Sequence, residues 1–194
     1  MKSTTFILGL LFTTSLLAQE QSNYQQTVSY TNTGEVILRE VMPFPGKSKE
    51  ELYQLAEEWF ARKFDGESSQ FVSDSENQSK LIGQGFTYYQ MYIMLNGTLT
   101  EVSYVLTISI KEERIKVEME EILILGETSL VTLDVEYLHP KPAHEVIGDK
   151  ALYKRNGKAR SVKKKHKDKI LNYWFSLLNS VDDFINTSQE EEEW

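Results

Sequence analysis

The side chains best suited to bind another molecule are four tyrosines in the middle of the chain: Tyr88, Tyr89, Tyr92 and Tyr104. A tyrosine ring offers an apolar surface and a polar hydroxyl, so an exposed group of them could bind a peptide or a glycan. On a strand, Tyr88 and Tyr92 would share one face with Phe86. Tyr89 would point to the opposite face. Ordinary packing between neighbouring strands is the alternative explanation for the same residues.

A second candidate is the basic segment, residues 150–169, which holds ten Lys or Arg residues and one acidic residue, Asp168. Its few apolar residues and its lack of a helical period predict a mobile loop. Such a loop could bind anionic lipid headgroups, and the consecutive Lys163, Lys164 and Lys165 are its candidate binding residues. The alternative is a solvated loop whose charge is balanced by the rest of the chain, since the net charge of the whole sequence is −8.

Metal ligands are scarce in this sequence. The imidazoles are His139, His144 and His166, and cysteine is absent. Zinc sites use three or four ligands at close, paired spacings. His139 and His144 instead lie five residues apart in a proline-containing stretch. We therefore expect no metal site and no cofactor.

Catalytic residues are equally hard to find. No part of the sequence matches the Gly-x-Ser-x-Gly pattern around the nucleophile of many hydrolases. Glycosidases use paired carboxylates, but neighbours such as Glu120 and Glu121 would point to opposite faces of a strand. Asp182 and Asp183 are expected on the solvated side of a helix. We therefore expect no catalytic residue, and a hydrolase acting on an envelope polysaccharide or peptide is the alternative function.

The N-terminus predicts export. Lys2 carries a positive charge, residues 6–17 are largely apolar, and the small residue Ala18 precedes the polar Gln19. This pattern is typical of a secretory signal peptide, here residues 1–18, and its apolar part is too short to span a bilayer. An uncleaved anchor is the alternative. Because the chain has no cysteine, it cannot carry a lipoprotein anchor, and we expect a periplasmic or secreted protein with no transmembrane segment after cleavage.

The elements after the signal peptide predict one domain. Residues 19–34 are polar and predict a flexible leader, residues 35–186 form the domain, and residues 187–194 form an acidic tail. The domain begins with a strand and an amphipathic helix that Ser48 caps. A long antiparallel β region follows, and a second amphipathic helix begins at Asp168.

Three stretches carry a resemblance to a known family: Val36–Val41 with Pro43-Phe44-Pro45, Ser48–Tyr53 leading to Trp59-Phe60, and Lys80–Gly85 with the hairpin to Ile110. In these stretches and in the order of its elements, the chain resembles a secreted bacterial family of domains of unknown function with a TBP-like fold. That fold is one half of the saddle of TATA-binding protein. The resemblance implies an α+β fold, with a single antiparallel sheet in the order β-α-β-β-β(-β)-α and two helices on one face. It implies export but no particular activity.

DNA binding does not follow from this resemblance. A saddle that binds DNA needs two such halves and a basic concave face, whereas the predicted strands carry Glu101, Glu118, Glu120 and Glu121. We therefore expect no nucleic-acid partner. The sequence favours an exported envelope domain that binds or scaffolds an envelope protein or a glycan without catalysis. The binding surface would be the open face of the sheet or the basic segment.

Overall fold

The computed structural model describes residues 28–31, 34–64, 70–73, 79–93, 96–129, 135–136, 141–158 and 160–188. The predicted signal peptide lies outside these residues, as do residues 19–27 of the leader and residues 189–194 of the tail. The leader prediction is wrong for Val28–Tyr30, which forms a strand paired with residues 36–38. Strand pairing supplies partners for its backbone, which the polar composition around it did not indicate.

Eight strands within the described residues form one sheet. They are β1 (Val28–Tyr30), β2 (Val36–Pro43), β3 (Gln70–Ser73), β4 (Lys80–Ile93), β5 (Asn96–Lys111), β6 (Arg114–Ser129), β7 (Val135–Glu136) and β8 (Lys141–Pro142). Their order across the sheet is β1-β2-β6-β5-β4-β3, and β7 and β8 both pair with the C-terminal part of β6. All of these pairings are antiparallel. The predicted α+β fold with a single antiparallel sheet is therefore confirmed.

Two long helices, α1 (Lys49–Lys63) and α4 (Ser161–Thr187), accompany the sheet, with two short ones, α2 (Ala143–Val146) and α3 (Asp149–Leu152). The Ser48 hydroxyl caps α1 by accepting a hydrogen bond from the Glu51 backbone N–H at 3.1 Å, as the capping sequence predicts. Helix α1 buries Leu52, Tyr53, Ala56, Trp59 and Phe60. Helix α4 buries Ile170, Leu171, Trp174, Leu177, Leu178, Val181 and Ile185 along one side, together with His166.

The two long helices pack against one face of the sheet, which we call the covered face. Strand alternation sends Leu81, Leu106 and Met119 to this face, where each is at most 1% exposed. The two long helices also contact each other. The Trp59 indole N–H of α1 donates to the Ser180 hydroxyl of α4 at 3.0 Å. The opposite side of the strands, which we call the open face, carries no helix among the described residues.

A β-bulge keeps the apolar side of β6 on the covered face as far as Ile124. Its register with β5 shifts between Ser103 and Val105, opposite Glu121, whose φ is 50°. Odd-numbered residues such as Val117 are buried before the bulge, and even-numbered residues such as Ile124 are buried after it. A strand with one extra residue changes the face to which its alternate side chains point. The long strand can therefore continue beyond Glu121 without turning its apolar residues to solvent.

The mobile-loop prediction for the basic segment is wrong over most of its length. Helix α4 begins at Ser161 rather than at Asp168, and α3 already includes Lys150. Val162, His166 and Ile170 are spaced four residues apart, so they lie on one side of α4. His166 and Ile170 are 5% and 2% exposed. The intervening lysines are good helix formers, and their number obscured this apolar side in the sequence.

Candidate functional site

The four candidate tyrosines do not form one cluster, because they lie on two faces of the sheet. Tyr88 and Tyr92 stand on the open face and are 58% and 61% exposed. Tyr89 and Tyr104 are buried on the covered face, at 9% and 2% exposure. Alternation along β4 separates Tyr88 from Tyr89, as the sequence predicts. Only Tyr88 and Tyr92 can therefore meet a partner directly.

Tyr89 is held by α4. Its hydroxyl lies 2.7 Å from Nδ1 of His166, and the two rings meet nearly edge to face, with centroids 5.8 Å apart. Burial, together with the nearby charges of Lys141 and Lys163, lowers the pKa of His166 to about 4. The imidazole is therefore neutral at pH 7 and can join this buried contact without burying a charge.

Tyr104 takes part in a second buried contact, with Tyr173 of α4. The two hydroxyl oxygens lie 2.6 Å apart. Burial, the charge of Tyr173 and the hydrogen bond raise the pKa of Tyr104 far above its usual value, and burial raises that of Tyr173. The Tyr104 ring lies over Gly85, where an added Cβ would come within 2.6 Å of Cζ of that ring. Gly85 is thus required for the close approach of Tyr104, and the pair has a structural role.

The open face has an aromatic end. The Tyr88 hydroxyl donates to the Glu101 carboxylate at 3.1 Å, and this bond is the main reason why the pKa of Tyr88 is raised. Phe86 and Leu99 lie on the same face and are half-buried. Leu123 lies beside Phe86 across β5 and is also half-buried. The exposed Tyr88 ring therefore has apolar residues at neighbouring positions of the open face.

The other end of the open face is charged. Glu118 accepts from Nε of Arg39 at 2.6 Å and lies 2.6 Å from Nζ of Lys116. Burial alone would raise the pKa of Glu118, but the hydrogen bonds and charges of Lys116 and Arg39 outweigh it and lower that pKa. Glu120 accepts a long bond of 3.4 Å from the Thr107 hydroxyl. The carboxylates at this end are thus already neutralised or hydrogen-bonded within the protein.

Three lysines predicted as a binding group, Lys163, Lys164 and Lys165, occupy the first turns of α4. Nζ of Lys163 donates to the carbonyl of Glu145 at 2.6 Å, and Nζ of Lys165 donates to the carbonyl of Tyr92 at 3.2 Å. Lys164 is exposed. The structure therefore brings the basic segment next to the tyrosine end of β4, a proximity that the sequence did not reveal.

The charge of the basic segment is not cancelled locally. Among the residues that the structure describes, the ion pairs are Arg39–Glu118, Lys47–Glu51, Arg62–Glu58 and Lys116–Glu118. None of them includes a cation of the basic segment. All ten cations of that segment are described, and two of them, Lys163 and Lys165, donate to backbone carbonyls.

The other residues considered for chemistry are dispersed. No group of three or more His, Asp or Glu side chains that could hold a metal ion occurs within the described part of the chain. His139 lies outside that part. Asp182 accepts a hydrogen bond from Asn186 one helical turn later, at 3.1 Å. Glu121 sits at the bulge and is exposed.

The sequence did not predict the roles of two residues of the site, His166 and Tyr173. His166 was considered only as a metal ligand. Both belong to α4 and both contact a tyrosine of the sheet. The four-residue spacing of Val162, His166 and Ile170 is the signal that could have placed His166 on the buried side.

No helix among the described residues is both long and apolar enough to cross a membrane.

Comparison with known proteins confirms the family resemblance and the fold. Residues 39–124 match the family described as a domain of unknown function (DUF4468) with a TBP-like fold. A DUF4468 family protein from Bacteroides ovatus, known from a crystal structure at 1.49 Å, is similar with a TM-score of 0.67 and 20% identity. That match covers 81% of this chain and 90% of the other.

A second crystal structure, of a TBP-like protein from Parabacteroides distasonis, is similar with a TM-score of 0.64 and 14% identity. It covers 82% of this chain and 97% of the other. No curated protein sequence matches the chain. At these identities the two structures establish a shared fold and leave the activity open.

Proposed function

We propose that this TBP-like domain is an exported, non-catalytic binding module whose protein partner docks on the open face of the sheet. The observation that carries this proposal is the exposure of Tyr88 and Tyr92, at 58% and 61%. Exposed aromatic side chains next to apolar ones are typical of binding surfaces. The predicted signal peptide, residues 1–18, supports export.

The neighbours of Tyr88 favour a protein partner over a glycan. Phe86 and Leu99 are half-buried neighbours of Tyr88 on the open face, and Leu123 lies next to Phe86 across β5. A partner that covers them would remove apolar surface from water. The Tyr88 hydroxyl is already bonded to Glu101, which holds the ring in one orientation before binding. An ordered aromatic ring over an apolar base is the usual form of an anchor in protein interfaces.

Site-specific photo-crosslinking in the native host tests this proposal. A photoreactive phenylalanine would replace Tyr88 or Tyr92 in the full chain. Tyr153 is the matched control position, because it is 53% exposed but lies directly after α3, away from the open face. We expect a discrete protein adduct at positions 88 and 92 and none at 153. Equal patterns at all three positions would contradict the proposal.

A glycan partner would give a different result. Purified envelope polysaccharide would retain the protein, the Tyr88→Ser/Tyr92→Ser variant would lose this retention, and the Tyr153→Ser variant would keep it. That result, without a protein adduct, would replace the protein partner by a glycan.

Export is tested separately from binding. We expect N-terminal sequencing of the protein from a periplasmic or culture fraction to begin at Gln19. A cytoplasmic protein that retains residues 1–18 would contradict export, whatever the result of the crosslinking.

A second candidate function is binding of anionic lipid headgroups through the basic segment. It is favoured by one observation: within the described residues, no ion pair includes a cation of that segment. Lys154, Arg155 and Lys158 are exposed. Lys163 and Lys165 instead donate to backbone carbonyls.

Vesicle sedimentation tests this second function. Binding to anionic vesicles should fall steeply between about 50 and 150 mM salt, and neutral vesicles should not bind. Neutralising Lys163, Lys164 and Lys165 should weaken binding, and neutralising Lys154, Arg155 and Lys158 should weaken it more. Binding that neither triple variant changes would contradict a role of the basic segment.

A further inference from the structure

A cavity of about 290 Å³ lies where α4 meets α2, β6 and β8. It is separate from the open face and contains neither Tyr88 nor Tyr92. Ligand sites in proteins usually have volumes of about 300–1,000 Å³, so this cavity is at the small end of that range. Its lining comes from three separate stretches of the sequence, in β6, in β8 with the adjoining α2, and in α4, so the cavity forms only in the folded domain.

Part of the cavity lining is apolar. Ile124 of β6 and Val146 of α2 are 3% and 8% exposed. Val162 of α4 also lines it and is 37% exposed, which places it at the rim. These three side chains present an apolar surface against which a ligand's hydrocarbon part would be removed from water.

The rest of the lining is polar and carries positive charge. Lys141, Lys163, Glu145 and His166 line it. One Nζ–H of Lys163 donates to the Glu145 carbonyl at 2.6 Å, which leaves two further donors on that ammonium group. Neither lysine takes part in an ion pair with a carboxylate of the described residues. Two ammonium groups therefore stand against the single carboxylate of Glu145.

His166 is the remaining polar residue of the lining, and it is uncharged at pH 7. It is 5% exposed, and its Nδ1 lies 2.7 Å from the Tyr89 hydroxyl, which fixes the plane of the ring. Burial and the charges of Lys141 and Lys163 keep its pKa at about 4. At pH 7 the ring can exchange hydrogen bonds but adds no charge to those of the lysines.

From this arrangement we propose that the cavity binds a small carboxylate with an apolar body. The hydrocarbon part packs on Ile124, Val146 and Val162, and the carboxylate pairs with Lys141 and Lys163. Such an anion offers an apolar part to the aliphatic side chains and a counter-charge to the two lysines. A neutral apolar molecule would leave the lysines without a counter-charge.

The cavity volume sets the size of this ligand. At about 30 Å³ per water-sized group, the cavity holds roughly ten non-hydrogen atoms. A short-chain carboxylic acid has this size, and so does the last residue of a peptide with its free C-terminal carboxylate. A ligand of roughly ten atoms is expected to bind with a Kd of about 0.1–1 mM.

Titration of the purified full chain with hexanoate tests the proposal. We expect calorimetric binding with a Kd of about 0.1–1 mM, together with NMR shifts of the His166 ring and of the Val146 and Val162 methyl groups. Hexanamide has the same shape but no charge, so it should bind at least about 10-fold more weakly. A tripeptide with an apolar C-terminal residue, compared with its C-terminal amide, distinguishes a peptide source from a free acid.

Variants assign the effect to the cavity. Lys141→Gln and Lys163→Gln should each weaken hexanoate binding by about 5-fold or more. Lys164→Gln is the matched control, because Lys164 is exposed and does not line the cavity. It should leave the Kd unchanged. Val162→Trp should fill the rim and prevent binding, and an unchanged Tm would show that the variant folds.

Three results would overturn the proposal: equal binding of hexanoate and hexanamide, equal loss in Lys164→Gln and Lys141→Gln, or no shift of His166 at about 20-fold the expected Kd. The Tyr88 and Tyr92 variants should bind hexanoate normally. Failure at this cavity is therefore distinguishable from failure of the open-face proposal.

Discussion

Tyr88 and Tyr89 are consecutive residues of β4, yet they belong to different regions of the protein. Tyr88 is 58% exposed on the open face and bonds to Glu101 of the next strand. Tyr89 is 9% exposed on the covered face and contacts His166 of α4. A group of tyrosines in the sequence therefore does not by itself locate a binding surface. The face that the helices cover decides which rings are available.

The two faces also differ in how their polar groups are satisfied. On the covered face, the buried hydroxyls of Tyr89 and Tyr104 hydrogen-bond to side chains of α4. On the open face, Glu118 contacts two cations, and these contacts are partly solvated. Because a buried polar group that loses its partner costs more than a solvated one, we expect substitutions on the covered face to dominate stability.

The largest contrast is expected for the neighbours Leu106 and Val105 of β5. Leu106 is 0% exposed on the covered face, so Leu106→Ala should lower the free energy of unfolding by about 2–5 kcal/mol. Val105 is half-buried on the open face, and Val105→Ala should cost about 1 kcal/mol or less. Urea unfolding of both variants measures the two values. Equal losses would mean that the open face is also packed against something.

The next contrast is in pH dependence. The pKa of His166 is about 4 in the folded protein and about 6.5 in an unfolded chain. Between these values the unfolded chain binds more protons, so the free energy of unfolding should decrease as the pH falls from about 6.5 to about 4, by at most about 3 kcal/mol. The titratable and charged groups near the ring are Tyr89, Lys141, Lys163 and Glu145.

The variant His166→Gln isolates this contribution, because it removes the titrating group. Its stability should change less than that of the parent protein between about pH 6.5 and 4. Glu118 on the open face titrates differently, since its pKa is lowered. Its contribution is present above the usual carboxylate pKa and is lost only on stronger acidification. Parallel curves for parent and variant would show that His166 is not the buried neutral group described here.

The fold was predictable from the sequence to the extent that local patterns were regular. The capping residues around Ser48 and the alternation along β4 gave the first helix and the faces of Tyr88 and Tyr89. The start of α4 was not predictable in the same way, because consecutive lysines hid the spacing of Val162, His166 and Ile170. The spacing was present in the sequence, but the charged residues between these three positions outnumbered the apolar ones.

The candidate site was harder to predict, because its parts are distant in sequence. Nothing local indicates that Lys165 reaches the carbonyl of Tyr92, or that Tyr104 meets Tyr173. Such contacts depend on where α4 crosses the sheet. The sequence therefore yielded candidate residues, and the structure divided them between the two faces and the cavity.

A smaller effect should separate the two members of the Tyr104–Tyr173 pair. The hydroxyl of Tyr173 also bonds to Thr87, so Tyr104→Phe leaves it with a partner. Tyr173→Phe removes the partner of the buried Tyr104 hydroxyl and should cost about 1–3 kcal/mol. Tyr104→Phe should cost less, about 1 kcal/mol. Thermal unfolding of both variants and of the double variant measures the coupling, and a larger loss for Tyr104→Phe would contradict this order.

The smallest effect on stability is expected at Tyr88, where the open-face proposal predicts the largest effect on binding. Its hydroxyl bond to Glu101 is solvent-exposed, so Tyr88→Phe should change the free energy of unfolding by at most about 0.5 kcal/mol. Tyr88→Phe keeps the ring and should still capture the partner that crosslinks at position 92. Tyr88→Ser removes the ring and should no longer capture that partner. If both variants capture the partner equally, the ring is not an anchor, and the two faces differ in packing but not in recognition.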